Sequence, residues 1–271
     1  MSQKLDAVWS SNQTYPKTYR MGHDTPQSSS GTIRRTQAIG AKLGCPIADG
    51  ARVLDLGCGA GRTVYAYRDA GFDACGFDIK DYLSLRDESD RRHFSIGFDE
   101  GNRLPFADEQ FDLVISEQVF EHVKDQAPLL RELHRIMRPG GLSLHVFPAR
   151  YAPIEPHIFV PFGSILMHRW YYRLWATLGI RNQFQRGLSA REVAHRNACY
   201  AVEGLNYVPN SLYNAICREI GFRVHWFEQE NFDCSHRWVL RLVGRVNRLV
   251  PLLGWTVRTF HSRRLALVRI A

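Results

Sequence analysis

The 271-residue sequence has no apolar run reaching the roughly 18 residues of a membrane-spanning helix, which argues against a transmembrane span. Its six cysteines stand at 45, 58, 75, 199, 217 and 234. No two have the separation of a zinc knuckle or a redox pair, so buried reduced thiols are expected. The eleven histidines show no paired ligand spacing, so the sequence assigns no metal site and leaves metal dependence open. Met1-Ser2-Gln3-Lys4-Leu5-Asp6 lacks a basic stretch followed by an apolar core, so nothing marks the chain for secretion and a cytoplasmic location is expected. From Ser235 to Ala271 there is no acidic residue, against eight arginines at 237, 241, 245, 248, 258, 263, 264 and 269. The rest of the chain balances 27 basic with 27 acidic side chains, so the whole net charge of +8 lies in that segment and an anionic partner is expected there.

What is present is ordinary for a globular protein, with 45% hydrophobic and 23% charged residues. The length suits one large domain or a core with an embedded cap. Residues 1–50 are polar and punctuated by Ser28-Ser29-Ser30-Gly31, which predicts a peripheral arm with one short helix. Over 51–148 short apolar runs alternate with helix-length segments, the pattern of βαβ units and a parallel sheet. Strands are expected at Val53–Leu56, Phe72–Asp78, His93–Phe98, Phe111–Ser116 and Leu142–Phe147. Leu129, Leu130, Leu133, Ile136 and Met137 recur at helical spacing over 125–138, and Pro139-Gly140-Gly141 predicts a turn before the fifth strand. The rhythm breaks over 149–209, read as a cap insertion after the fifth strand, where it would lie over the carboxyl edge of the sheet. Over 210–271 a helix to Ile220, a strand at Phe222–Phe227, a basic amphipathic segment at 235–254 and a last strand at Leu265–Ile270 complete the core. The fold class is α/β, a doubly wound, mostly parallel sheet.

The first strand runs into Asp55-Leu56-Gly57-Cys58-Gly59-Ala60-Gly61, where glycines let a ligand approach the backbone at a helix N-terminus. A dinucleotide fingerprint needs its third glycine one residue later, to seat a pyrophosphate. Here the spacing is G-x-G-x-G, and Asp55 would favour a cationic amine over phosphate. Asp78, ending the second strand, can accept from both hydroxyls of a ribose.

Val53 to Thr63, Phe77-Asp78, Leu104-Pro105-Phe106, Phe111-Asp112-Leu113-Val114 and Met137-Arg138-Pro139-Gly140-Gly141 resemble, in order, the landmarks of class I S-adenosylmethionine-dependent methyltransferases, of the small-molecule and lipid branch. The resemblance is strong over 51–148 and weak over 210–271. It implies a Rossmann-like fold and S-adenosylmethionine as cofactor. Gly57, Gly59 and Gly61 would pack against its methionine portion, Asp55 would lie beneath its amino end, and Asp78 would hold the ribose. Glu100, four residues before Leu-Pro-Phe, would reach the adenine amino group, with Asp99 as the alternative, and Gly101 would offer its N–H to the ring. Ser116 and Glu117 fall where the family lines the methyl-transfer site, with His122 one helical turn on.

The acceptor is less legible. Ser116-Glu117-Gln118-Val119 replaces the Asn/Asp-Pro-Pro-aromatic turn of base amino methylases, and no cysteine stands where an RNA cytosine C5 methylase needs one, so nucleic acid is disfavoured. Tyr151, Glu155, His157, His168, Trp170, Tyr171, Tyr172, Trp175 and Asn182 in the insertion suit a sugar or amphipathic metabolite, or else form the cap's own core. The leading expectation is O-methylation of a sugar, glycolipid or other small hydroxylated metabolite. Lipid C-methylation and a non-catalytic S-adenosylmethionine-binding regulatory subunit stay open. His157, between Pro153, Pro156 and Pro161, is the expected general base, oriented by Glu155, with His122 or Glu117 as alternatives. In a helical tail Arg237, Arg241, Arg245 and Arg248 share one side and the apolar residues another. Peripheral contact with an anionic membrane would use both, whereas a packed surface helix or a dimer contact would use the apolar side alone.

Overall fold

The computed structural model of the protein describes residues 26–101 and 103–270, with side chains from residue 31 onward. The first half of the expected N-terminal arm, 1–25, lies outside the described residues. A seven-stranded sheet runs in the order β3-β2-β1-β4-β5-β7-β6, and only β7 is antiparallel to its neighbours. The strands are β1 (Arg52–Leu56), β2 (Asp73–Asp78), β3 (Phe94–Ile96), β4 (Phe111–Glu117), β5 (Met137–Pro148), β6 (Phe222–Trp226) and β7 (Ser262–Arg269). The order reverses between β1 and β4, which opens a crevice at the carboxyl ends of those strands, where doubly wound sheets take their ligands.

Side chains alternate across a strand, so each strand feeds two cores. Leu54 and Leu56 of β1, Phe77 of β2, Val114 of β4 and Leu265 and Leu267 of β7 enter one, with Leu129, Leu130, Leu133 and Ile136 of helix α3 (Gln126–Ile136). Val53, Ala74, Leu113, Ala266 and Val268 enter the other, covered by α1 (Pro26–Lys42) and α2 (Arg62–Asp69). Both faces are covered, which is why the parallel strands read as nearly continuous apolar runs.

Three elements differ from the sequence expectation. Helix α1 spans 17 residues, includes the Ser28–Gly31 run, and buries Ile33 and Ile39 in the second core, so it is no peripheral arm. Pro139-Gly140-Gly141 keeps the expected turn, with a φ of 76° at Gly140, but inside the fifth strand and not before it. Strand β5 starts at Met137 and passes through it with a register shift against β4, the turn being absorbed as a bulge at the start of the strand. Finally, β7 inserts between β5 and β6, beside the sixth strand as expected but also beside the fifth.

Residues 149–209 carry α4 (Arg169–Thr177) and α5 (Ala190–Cys199) around a small core of their own, formed by Ile158, Val160, Tyr172, Ala194 and Ala201. Helix α6 (Asn210–Ile220) ends at Gly221, whose φ of 107° permits the left-handed stop before β6. Beyond β6 come α7 (Glu228–Asp233), α8 (Trp238–Leu249) and α9 (Leu252–Phe260). Among the described residues no helix is long and apolar enough to cross a membrane.

Candidate cofactor and acceptor site

The turn after β1 is pinned to β2: Gly57 and Cys58 both donate to the Phe77 carbonyl, at 2.7 and 3.0 Å. Gly57 has a φ of 78°, and a Cβ there would overlap the Val119 side chain, so both backbone freedom and close approach require glycine. A Cβ on Gly59 would meet nothing within 4 Å, which identifies the side of the turn that faces open space. Gly61 starts α2 in the left-handed conformation.

Acidic side chains line this edge. Asp55 is buried, and burial first, then the charges of Asp78 and Glu117, push its carboxyl up to about 7 against the pull of the Thr63 hydroxyl. Asp78 accepts from Gly59 N–H at 2.9 Å and from Lys80 N–H at 3.3 Å. Burial raises its pKa, partly offset by those bonds. Asp99 spends one oxygen on the Arg103 N–H (2.8 Å), closing the turn that contains Gly101, while Glu100 is exposed beside it. Ser116 is buried and its hydroxyl bonds His145 Nδ1 at 2.7 Å. Burial holds the His145 imidazole at about 3, so the sheet carries a neutral histidine that the sequence did not single out.

The acids and glycines fit a ligand with a cationic amine and a ribose and no phosphate. Carboxylates crowd the place where a Rossmann dinucleotide puts its pyrophosphate, and the open side of Gly59 leaves room above them.

One residue past Val119, the 3₁₀ turn Phe120–His122 brings Glu121 and His122 under the insertion, which supplies His157. His122 Nδ1 is 2.7 Å from the Gly204 carbonyl and His157 Nδ1 is 2.8 Å from Glu155 Oε1. The two rings lie edge to face, with centroids 5.2 Å apart. Glu155 also accepts from the His157 and Ile158 N–H groups and from the Tyr207 hydroxyl. Burial by itself would raise the Glu155 carboxyl and lower the His157 imidazole, but their mutual bond and charge reverse both directions. Burial lowers His122 to about 4 and raises Glu121 to about 7. Sequence reading did not name Glu121, Gly204 or Tyr207. Only the adjacency of Glu121 to His122 was visible in the chain.

The aromatic tips expected to read a glycan are mostly used inside the cap. Tyr171 and Tyr172 donate to the Pro161 and Gly163 carbonyls, and Asn182 caps a 3₁₀ turn and donates to the His157 carbonyl. Trp175 packs against the cap core, while Tyr151 and Trp170 remain exposed. A surface cleft lined by Cys45–Ala51, Asp112 and Arg138–Leu142 opens at the amino ends of the strands and holds none of these site residues.

Geometry thus defines a doubly wound α/β protein with a glycine turn lined by acids at its switch point. Residues 54–144 match the methyltransferase-domain family. Over 93 residues the chain is 36% identical to a malonyl-[acyl-carrier protein] O-methyltransferase from Pseudescherichia vulneris, covering 34% of this chain and 36% of that protein. Over 99 residues it is 31% identical to a ubiquinone biosynthesis O-methyltransferase from Ruegeria pomeroyi, covering 35% and 40%. The chain thus spans well under half the length of these curated relatives. An S-adenosylmethionine-dependent methyltransferase from Mesorhizobium loti superposes over 87% of this chain and 98% of its own, with a TM-score of 0.50 and 17% identity, a likeness of fold. Residues 54–144 are thus similar to a methyltransferase domain, set in a sheet with the same fold as that Mesorhizobium loti enzyme.

Proposed function

We propose that the protein transfers the methyl group of S-adenosylmethionine to an oxygen of a sugar, glycolipid or other small hydroxylated metabolite. The observation that carries this reading is the Glu121, His122 and His157 cluster, which begins two residues beyond the side chain that packs on Gly57 and is roofed by the insertion. Methyl transfer is an in-line displacement at a carbon the sulfonium already activates, so the protein's part is to position the acceptor, exclude water and relieve the hydroxyl of its proton. Asp55, Gly57, Gly59, Gly61, Asp78, Glu100, Gly101 and Ser116 form the cofactor side of the proposal, and His157, His122 and Glu117 the acceptor side. The relatives named O-methyltransferases support oxygen as the acceptor atom. Incubation with methyl-labelled cofactor and a cell extract, followed by separation of lipid, glycan, RNA and protein, tests it. Label in the lipid or glycan fraction is expected, and label confined to RNA or protein refutes the reading.

Asp55 gives this reading a pH signature. Its folded pKa of about 7 lies above its unfolded value, so this carboxyl favours the ligand-free fold below about pH 4, and the contribution is lost as pH rises through 7. A bound ammonium selects the ionised form. S-adenosylhomocysteine affinity should therefore rise about tenfold from pH 6 to pH 8, and Asp55→Asn should flatten the profile. Calorimetric affinities that stay level in the parent protein would remove Asp55 from the amine site.

The same proposal includes contact with an anionic lipid surface through α8 and α9. The tail's positive charge is smaller than its count implies: Arg248 pairs with Asp233, Arg258 with Glu228 and Arg269 with Glu109, while Arg263 is buried. Arg237, Arg241 and Arg245 form no ion pair among the described residues. Helix α8 docks through Gly244 and Asn247, and its opposite side presents Trp238 (68% exposed), Leu242, Val246 and Leu249 (84%), continued by Leu252 and Trp255 on α9. The apolar side of this helix is not packed on the protein, contrary to the reading as an ordinary surface helix. Vesicles with anionic lipid should bind the protein more tightly than neutral ones by about 1 kcal/mol per free arginine at low salt. Co-sedimentation without that preference, or unchanged in Leu249→Asp, would leave the ridge to another partner.

A further inference from the structure

Both carboxylate oxygens of Glu121 are buried without a hydrogen-bond partner, and its side chain has no exposure. Buried carboxylates ordinarily collect donors. Arg263, whose charge reaches Glu121, donates instead to the Val208 carbonyl and Asn210 Oδ1. What faces Glu121 are the Nε2 atoms of His122 and His157, each 3.8 Å from Oε1. A carbonyl and a carboxylate can only accept, so the Nδ1 of each ring must be the donor, and in its neutral form each ring aims an Nε2 lone pair at the carboxylate. With Glu121 ionised, three electron-pair donors then converge on one point.

We propose that Glu121, His122 and His157 bind a divalent transition-metal ion of the zinc type. Their ligating atoms all lie within 4.8 Å of one another. Tetrahedral coordination with bonds of about 2.0–2.1 Å sets ligand atoms about 3.4 Å apart, so closure needs about 0.4 Å on the two 3.8 Å edges and at most about 1.4 Å on the edge between the histidines. The outer contacts have the form such sites use: a carboxylate, Glu155, on one ligand histidine and a backbone carbonyl, Gly204, on the other, which fix the tautomers and the ring orientations. Two imidazoles and one carboxylate suit Zn²⁺, Co²⁺ or Fe²⁺ over the all-oxygen preference of Mg²⁺ and Ca²⁺. Three protein ligands leave a fourth position open. The side chains of His122 and His157 are 14% and 11% exposed, whereas that of Glu121 is fully buried. That an acceptor oxygen takes this position rests on the proposed O-methylation, whereas metal binding itself does not. The ligands escaped sequence reading because His157 lies on the insertion, 35 residues beyond His122.

The full chain, stripped with chelator, is titrated with Co²⁺ alone and followed by visible absorption, with Zn²⁺ and Mg²⁺ as competitors. One saturable equivalent is expected, displaced by Zn²⁺ and not by equal Mg²⁺. His157→Ala, His122→Ala and Glu121→Gln should each weaken Co²⁺ binding by at least about tenfold. His195→Ala, whose ring sits beside Cys199 and is not one of the three ligands, should not change it. Should the ligand variants fail to melt cooperatively, Glu155→Gln keeps all three ligands and should still weaken binding. No saturable equivalent, meaning that only water occupies the cluster, overturns the proposal, as does binding indifferent to these variants. A parent protein that binds S-adenosylhomocysteine but no Co²⁺ defeats the metal site alone, and one that binds Co²⁺ but no S-adenosylhomocysteine defeats the methyltransferase reading alone.

Discussion

S-adenosylhomocysteine at 100 times its dissociation constant should stabilise the protein by about 2.7 kcal/mol, while NAD at the same concentration should leave the melting temperature unchanged. For a chain of this size that is a rise of roughly 5 °C or more. The asymmetry follows from charge and spacing. Asp55, Asp78 and Glu117 interact at the carboxyl edge of β1, β2 and β4, and a pyrophosphate would meet their carboxylates in the place where an ammonium is attracted. Asp78→Ala should cost about 3 kcal/mol of affinity, two bonds to a charged acceptor at about 1.5 kcal/mol each, or at least a hundredfold. Because Asp78 also accepts from Gly59 and Lys80 N–H, Asp78→Asn is the companion variant. It keeps an acceptor for the turn and should lose less. A melting shift with NAD and none with S-adenosylhomocysteine in differential scanning calorimetry would contradict the cofactor assignment.

His157→Ala should lower turnover on the labelled acceptor by about 100-fold or more, with S-adenosylhomocysteine affinity changed by less than about twofold. The separation is expected because His157 belongs to the insertion and faces Glu121 and His122, whereas the cofactor turn is held by β1, β2 and Val119. Removing the ring also strips packing from His122 and Tyr200, so a His157→Gln variant of closer volume accompanies it. Both variants should fall together in single-turnover assays if the imidazole is what matters. Near-normal turnover would take His157 out of the acceptor site and leave His122 and Glu117 to be tested.

Local chemistry settled much of this protein before any coordinates. The glycines at 57, 59 and 61 need left-handed backbone, and Leu129, Leu130, Leu133 and Ile136 at helical spacing need one apolar face, so the turn, β1, β2, β4, α3 and α6 are written in neighbouring residues. Such signals survive in sequence because strand and helix periods act over a few positions. Length of chain hides the rest. The bond between Ser116 and His145 spans 29 residues, and the contact of His122 with Gly204 spans 82.

Tertiary packing also decided what each ambiguous segment does. The Ser28–Gly31 run became helix because Ile33 and Ile39 downstream are buried in a core that the sheet supplies. Tyr171 and Tyr172 turned inward because the insertion needs its own core, and their hydroxyls found carbonyls there. The amphipathic pattern of 238–249 showed two faces without showing which would meet the protein. Gly244 and Asn247 fit closely against α7 and α9, so the apolar side was left to solvent. The sequence by itself determined the class of the fold and the glycine turn after β1, since those depend on backbone conformation a few residues apart. Only the tertiary structure decided that Glu121, His122 and His157 form one cluster and that three of the tail's eight arginines pair with acids, since both depend on distances between residues that the chain keeps far apart.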